Sequence, residues 1–339
     1  MNSIERVIAT LERKPVDQVP FFEWVIDPKV INGIMPGADI GEFVCAQGLD
    51  AIHVDLNWDK TEVEPGLFKT ELGNYIRYNE EQHSYSVGGC ITSMKDLDKY
   101  EVPPLDVDRR FKTLDETIAK YGDKKAIIVH LNDVFSFPTR LMGYEELLYA
   151  VMDEPELVEG LIELSVHINS GLAKEVAKRG VKIVMTGDDY AYNLGPMVCA
   201  TTFEEIFFPY LKKVVSNFKA EGLYAIKHTD GNIMPIVDMI VEAEFDCIDP
   251  LEPVANMDLA YMKKTYGNRV ALKGNVDCAH TLCDAPLSQV REETRRCLEI
   301  GSKGGGYILS SSNSIHSAVR PESFMEMIKT YNEFKSAYI

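Results

Sequence analysis

Leu223-Tyr224-Ala225-Ile226-Lys227-His228-Thr229-Asp230-Gly231-Asn232 runs from a short apolar stretch into a polar cluster with a glycine, and apolar residues at helical spacing follow (Ile233, Ile236, Val237, Ile240, Val241). That order predicts a strand, a turn and a helix start. In extended chain, residues two apart project to the same side, so the His228 imidazole and the Asp230 carboxylate can converge just past the strand end. The pair reads as half a metal site. The plainer reading makes Thr229 or Asp230 a helix cap and His228 a satisfied polar residue beside it.

Working outward, the same unit recurs. Short apolar runs alternate with helical patterns at eight places, near residues 21, 51, 127, 183, 225, 247, 270 and 307. Eight strand-helix units in one chain of 339 residues predict an α/β fold of the (β/α)8 TIM-barrel type, a single domain over residues 1–339, with active-site groups gathered at the carboxyl ends of the strands. Each predicted strand ends in polar or ionisable residues, among them Asp55, His130, Asp188-Asp189, His228, Asp249 with Glu252, Asp277 and Asn313, while Glu23 interrupts the apolar run Phe21–Ile26. An open doubly wound sheet is the alternative, but no Gly-x-Gly-x-x-Gly follows an early strand. Between Thr61 and Thr92 short β-prone pieces separated by turn residues predict a small antiparallel insertion of two or three strands after the second barrel strand, able to cover one mouth.

Composition narrows the function. A formal net charge of −18 argues against a nucleic-acid partner, which needs clustered Lys and Arg to displace counterions. No apolar run approaches a membrane span, and Met1–Val16 has no apolar core of a signal peptide. The seven cysteines include no Cys-x-x-Cys pair, the pattern of reduced thiols in a cytoplasmic protein.

His228 and Asp230 are the leading ligand pair. Glu23, buried among apolar neighbours, is a catalytic candidate with Asp188, since of two adjacent acids at a strand end at most one enters the pocket. His53 and His130 read as satisfied core histidines. Trp24, Trp58 and Tyr192, with Asn313, are candidates for binding substrate, the aromatics as an apolar wall.

Several blocks resemble the uroporphyrinogen decarboxylase superfamily: Glu5-Arg6-Val7 through Pro15-Val16-Asp17-Gln18-Val19-Pro20, Asp188-Asp189 through Phe208-Pro209-Tyr210-Leu211-Lys212-Lys213, His228-x-Asp230-Gly231, Leu272-Lys273-Gly274-Asn275-Val276-Asp277 and Gly306-Tyr307-Ile308-Leu309. The resemblance implies a (β/α)8 barrel. The decarboxylases of that superfamily bind a polycarboxylate through an arginine-rich segment of the type Arg-Gln-Ala-Gly-Arg-Tyr, where this chain has Phe21-Phe22-Glu23-Trp24-Val25. An acid-lined pocket would repel such a substrate.

The chain is more similar to the cobamide-dependent methyltransferases, which exchange a methyl group with a separate corrinoid protein using zinc held by a His-x-Cys pair and a later Cys. His228 matches the histidine, whereas Asp230 and Asn313 stand at the two cysteine positions. Oxygen donors in place of thiolates suit a harder site that binds an oxygen atom of the substrate. The resemblance therefore implies a methyltransferase, an O-demethylase acting on an O-methyl compound such as an aryl methyl ether, with zinc or another divalent metal at His228, Asp230 and Glu23, a corrinoid (cobalamin-type) partner protein and a possible homodimer. A decarboxylase or lyase for another small acid stays open, with Lys227, Lys273 and Arg140 as its cations, and so does a non-catalytic metabolite- or corrinoid-binding barrel.

Overall fold

The computed structural model describes residues 1–79 and 84–339. Ala51–Val54 forms β1. The chain then makes Lys60–Glu64 (β2), Leu67–Thr70 (β3), Tyr75–Tyr78 (β4) and Ser84–Gly88 (β5). It continues through Ala126–Leu131 (β6), Ile183–Gly187 (β7), the short pair Ala191–Tyr192 (β8) and Gly195–Pro196 (β9), and Tyr224–His228 (β10). Cys247–Asp249 (β11), Ala271–Val276 (β12) and Tyr307–Ser311 (β13) complete the set.

Seven strands form one curled sheet in the order β1-β6-β7-β10-β11-β12-β13. Every pair in it is parallel, with helices in the crossovers, as parallel neighbours require. The eighth barrel strand expected near Phe21 does not form a ladder, and the sheet is not a closed barrel. Phe21–Ile26 makes only isolated parallel bridges, Phe21 to Leu309 and Ile26 to Ile315, with the Pro20 carbonyl accepting from Leu309 and the Phe21 carbonyl from Asp50. The cause is a shortage of donors: Pro20 has no N–H, and the Phe21 amide donates to the Asp50 carboxylate at 3.0 Å.

The insertion between β1 and β6 holds four antiparallel strands, β2 to β5, in a sheet of their own, more than the two or three expected. The helix after the opening stretch begins at Val237, later than the apolar spacing suggested. Neither proposed cap serves it: the Thr229 hydroxyl accepts from the Tyr190 amide at 3.0 Å.

Two apolar clusters lie on opposite faces of the parallel sheet. The outer one packs the crossover helices against residues such as Val129, Val184, Ala225 and Leu272. The inner one contains Phe22, Ala51, Ile128, Met185, Ile226, Cys247, Ala271 and Ile308, plugged by Val7 and Leu11 of helix Ser3–Leu11. Burial of each large side chain here contributes about 1.5–3 kcal/mol. No helix of the described residues is long and apolar enough to cross a membrane, and all seven cysteines are free thiols.

Candidate active site

Strand alternation builds the site. Ala51, Ile128, Met185, Ile226, Cys247, Ala271 and Ile308 face the inner cluster, so the residues two further on share that face: His53, His130, Gly187, His228, Asp249, Lys273 and Ser310. Within one pleat repeat the interior changes from apolar to ionisable. Trp24 lies two residues beyond Phe22 and fills this layer, its ring centroid 5.7 Å from His53, 5.3 Å from His130 and 3.5 Å from His228. Gly187 leaves space for it, since a Cβ there would lie 2.5 Å from the Trp24 ring and 2.6 Å from His130 Nε2.

His228 is 2% exposed. Its Nδ1 is 2.6 Å from Asp249 Oδ2, and Asp249 Oδ1 accepts from Lys273 Nζ at 2.6 Å. Because Asp249 can only accept, the proton sits on Nδ1, and Nε2 is the atom offered to the mouth. Nε2 faces Asp230 Oδ1 at 3.2 Å, an oxygen that is buried and makes no hydrogen bond. Burial disfavours the imidazolium, but Asp249 and Asp230 together outweigh it and raise the His228 pKa to about 9. Asp249 is held below the usual carboxylate range: burial acts upward and is overcome by Lys273 and His228.

Ligand atoms of Asp189, His228 and Asp230 lie within 4.8 Å of one another, an arrangement able to hold a metal ion. Asp189 Oδ1 accepts from the Asp230 amide at 3.1 Å, and Gly231, at φ +83°, donates its amide to Glu252 at 2.7 Å. Burial, then the charge of Asp230, raise the pKa values of both Asp189 and Glu252.

The sequence candidates divide between this group and other places. Glu23 lies in the same interior but outside the ligand group: its two oxygens accept from the Ser311 amide at 2.9 Å and the Ser311 hydroxyl at 2.7 Å. Asp188 faces away from the mouth, as alternation from Met185 requires. Its Oδ2 accepts from the amides of Phe135 and Ser136, both at 2.8 Å, at the start of helix Ser136–Met142. Its neighbour Asp189 is the acid that joins His228. Asn313 donates to Glu252 at 3.2 Å, and Tyr192 is half exposed on β8. Trp58 stands apart from Trp24, with the Arg110 guanidinium 3.9 Å over its ring.

Sequence reasoning undervalued His53 and His130. Both Nε2 atoms are buried without a hydrogen-bond partner, and with Asp55 the two rings form a second group with ligand atoms within 4.8 Å. His130 Nδ1 meets Asp55 Oδ1 at 2.7 Å. Burial, with only partial compensation by Asp55, lowers the His53 pKa to about 3, so its ring is neutral. Their parity with Ala51 and Ile128 was the signal available in the sequence.

Glu23 yields a pH prediction. Burial raises its pKa to about 7 despite Lys273 and the Ser311 hydrogen bonds. The folded protein thus holds a proton that the unfolded chain releases near the ordinary glutamate value of 4.5. The corresponding stability is complete below that value and is lost as pH rises through about 7, by up to about 3 kcal/mol. Urea denaturation at pH 5 and pH 8 should show a smaller fall for Glu23→Gln than for the parent chain. Equal falls would contradict the assignment.

The uroporphyrinogen decarboxylase (URO-D) family model matches residues 69–334, and the chain belongs to that family. The uroporphyrinogen decarboxylase of Shewanella loihica is 26% identical over 204 residues, covering 58% of this chain and 53% of that protein. That of Shewanella amazonensis is 25% identical over 268 residues, covering 76% and 66%. The chain therefore spans between about half and two thirds of the length of these curated relatives. A methyltransferase from Methanosarcina mazei has the same fold, with a TM-score of 0.79, 18% identity and coverage of 98% and 99% of the two chains.

Proposed function

We propose that this chain is a methyltransferase that moves a methyl group from an O-methyl substrate, such as an aryl methyl ether, to the Co(I) of a corrinoid carried by a separate protein. The observation that carries the reading is His228, with Nδ1 fixed by Asp249 and Nε2 turned to Asp230. Asp189, His228 and Asp230 fit a divalent ion such as zinc. They offer one imidazole nitrogen and carboxylate oxygens, and one of those oxygens, Asp230 Oδ1, is buried, faces His228 Nε2 and makes no hydrogen bond. When bound, that ion supplies Lewis-acid polarisation of the ether oxygen.

The remaining work falls to the protein. Lys273 keeps Asp249 ionised, Asp249 keeps the proton on Nδ1, and the Trp24 ring against His228 excludes water from that side. As the O–CH3 bond breaks and the Co–CH3 bond forms, the oxygen keeps the electron pair. Glu252, outside the ligand set and with its carboxyl group raised by burial and by Asp230, is the acid that returns a proton to it. Decarboxylation of a small acid is less well supported. Of its three candidate cations, Lys227 and Lys273 are tied to buried partners, Asp133 at 2.7 Å and Asp249 at 2.6 Å, which leaves Arg140 to hold a carboxylate.

The test is Asp249→Asn, which keeps the shape and removes the acceptor charge. Zinc affinity, measured by competition with a chromophoric chelator, should fall about 10–100-fold. Unchanged affinity would remove Asp249, and with it the His228 ligand role, from the account.

A further inference from the structure

The three cations that the sequence places near the strand ends have different fates. Lys227 and Lys273 are fully buried in ion pairs. Arg140, on helix Ser136–Met142, has no carboxylate within salt-bridge distance among the described residues. Its one hydrogen bond to a described residue is donated by Nη1 to Asn132 Oδ1 at 3.1 Å. A guanidinium offers five N–H donors in a planar fork, so most of this one has no acceptor among the described residues. Asn132 is itself 5% exposed, and its Nδ2 is buried with no acceptor.

Both residues line a cavity of about 400 Å³ between the β2–β5 sheet and the ends of β1 and β6, walled by Trp58, Leu72 and Tyr78, with Lys60 also in its lining. Asp55 is there too, but its Oδ1 is engaged by His130. Burial destabilises the Arg140 charge, and the more distant Asp188 and Asp55 do not restore it. An unmatched guanidinium and an orphan amide N–H in one cavity call for an anion with two acceptor oxygens. A planar carboxylate fits the fork bidentately. The cavity has the size of small-ligand sites, and Trp58 and Tyr78 give an aromatic wall.

We propose that this cavity binds the carboxylate of the methyl donor, so that the substrate is a one-ring O-methyl aromatic acid with its carboxylate on Arg140 and Asn132 and its ring against Trp58. The substrate role rests on the methyl-transfer reading; the binding of an aromatic carboxylate does not. The inner edge of the cavity is His130, whose ring meets Trp24, and Trp24 meets His228. His130 and Trp24 are the two rings that lie between the cavity and His228.

The experiment is calorimetric titration without corrinoid, using 4-methoxybenzoate and uncharged methoxybenzene on the parent chain, Arg140→Gln and Arg140→Lys. The parent should bind the acid at least about 10-fold more tightly than the neutral ether. Arg140→Gln should lose about 10–100-fold for the acid and nothing for the ether, because a hydrogen bond to a charged group is removed. Arg140→Lys keeps the charge without the fork and should fall between them, which also serves if the glutamine variant fails to fold. Equal affinity for acid and ether, or acid binding unchanged in both variants, would overturn the proposal. Tight acid binding without methylation of added cob(I)alamin would sink the methyl-transfer reading and leave the carboxylate site standing. Methylation from methoxybenzene as efficient as from the acid would do the reverse.

Discussion

Methyl transfer is expected to fall by at least about a thousandfold in His228→Ala, together with loss of the divalent metal from the same preparation. Removing a Lewis-acid ligand forfeits several kcal/mol of transition-state stabilisation, and each 1.36 kcal/mol is about tenfold in rate. Among the described residues no other imidazole belongs to the Asp189–Asp230 group. The change also unbalances the interior, because Asp249 loses its 2.6 Å partner and keeps only Lys273. A stability readout then separates this ring from a neutral packing residue. In the metal-free protein the folded-state pKa of His228, about 9, lies above that of the unfolded chain. The stability it contributes is therefore complete below about 6.5 and disappears as pH rises through about 9. Denaturation of the metal-free variants should show a larger deficit for His228→Ala at pH 7 than at pH 10. A deficit independent of pH, with metal retained, would mean that His228 is an ordinary core residue.

Lys227→Met is expected to destabilise the fold by about 3–5 kcal/mol, the usual cost of removing one member of a buried ion pair. Lys227 and Asp133 are both fully buried, 2.7 Å apart. Lys227 also donates to the Asp188 carbonyl at 2.8 Å and lies 3.7 Å over the Tyr190 ring. Asp133 already has its pKa raised to about 6, by burial first and then by Asp188, with Lys227 opposing. Once Lys227 is gone, Asp133 takes up a proton more readily, so the deficit should shrink toward pH 5. Urea denaturation across that range measures it, and Lys227→Met with Asp133→Asn should recover part of the loss. A deficit below about 1 kcal/mol at pH 8 would show that the pair is not the anchor of this wall.

Much of the fold was legible because periodicity reports burial. β6, β7, β10, β12 and β13 fall where short apolar runs of three or four residues stand between helical patterns. The Phe21 segment looked the same, but the hydrophobic pattern does not say that Pro20 lacks a donor or that Asp50, distant in sequence, captures the Phe21 amide. At the site, the His228–Asp230 approach followed from alternation alone. The Asp249–Lys273 support could not, since it joins two further strands across the interior. The choice between Asp188 and Asp189 depended on strand parity relative to Met185, and that parity was present in the sequence. Glu23 illustrates the opposite limit. Its burial among apolar residues was readable, while the Ser311 donors that hold it lie 288 positions away.

The most direct measurement is a single-turnover reaction of the zinc-loaded protein with 4-methoxybenzoate and free cob(I)alamin, followed by the absorbance change as Co(I) becomes methylcobalamin. Methylcobalamin formed in step with the demethylated phenol, by the parent chain and not by His228→Ala, is the predicted result. Persistence of cob(I)alamin with both proteins, or release of carbon dioxide from the acid in its place, would contradict the account.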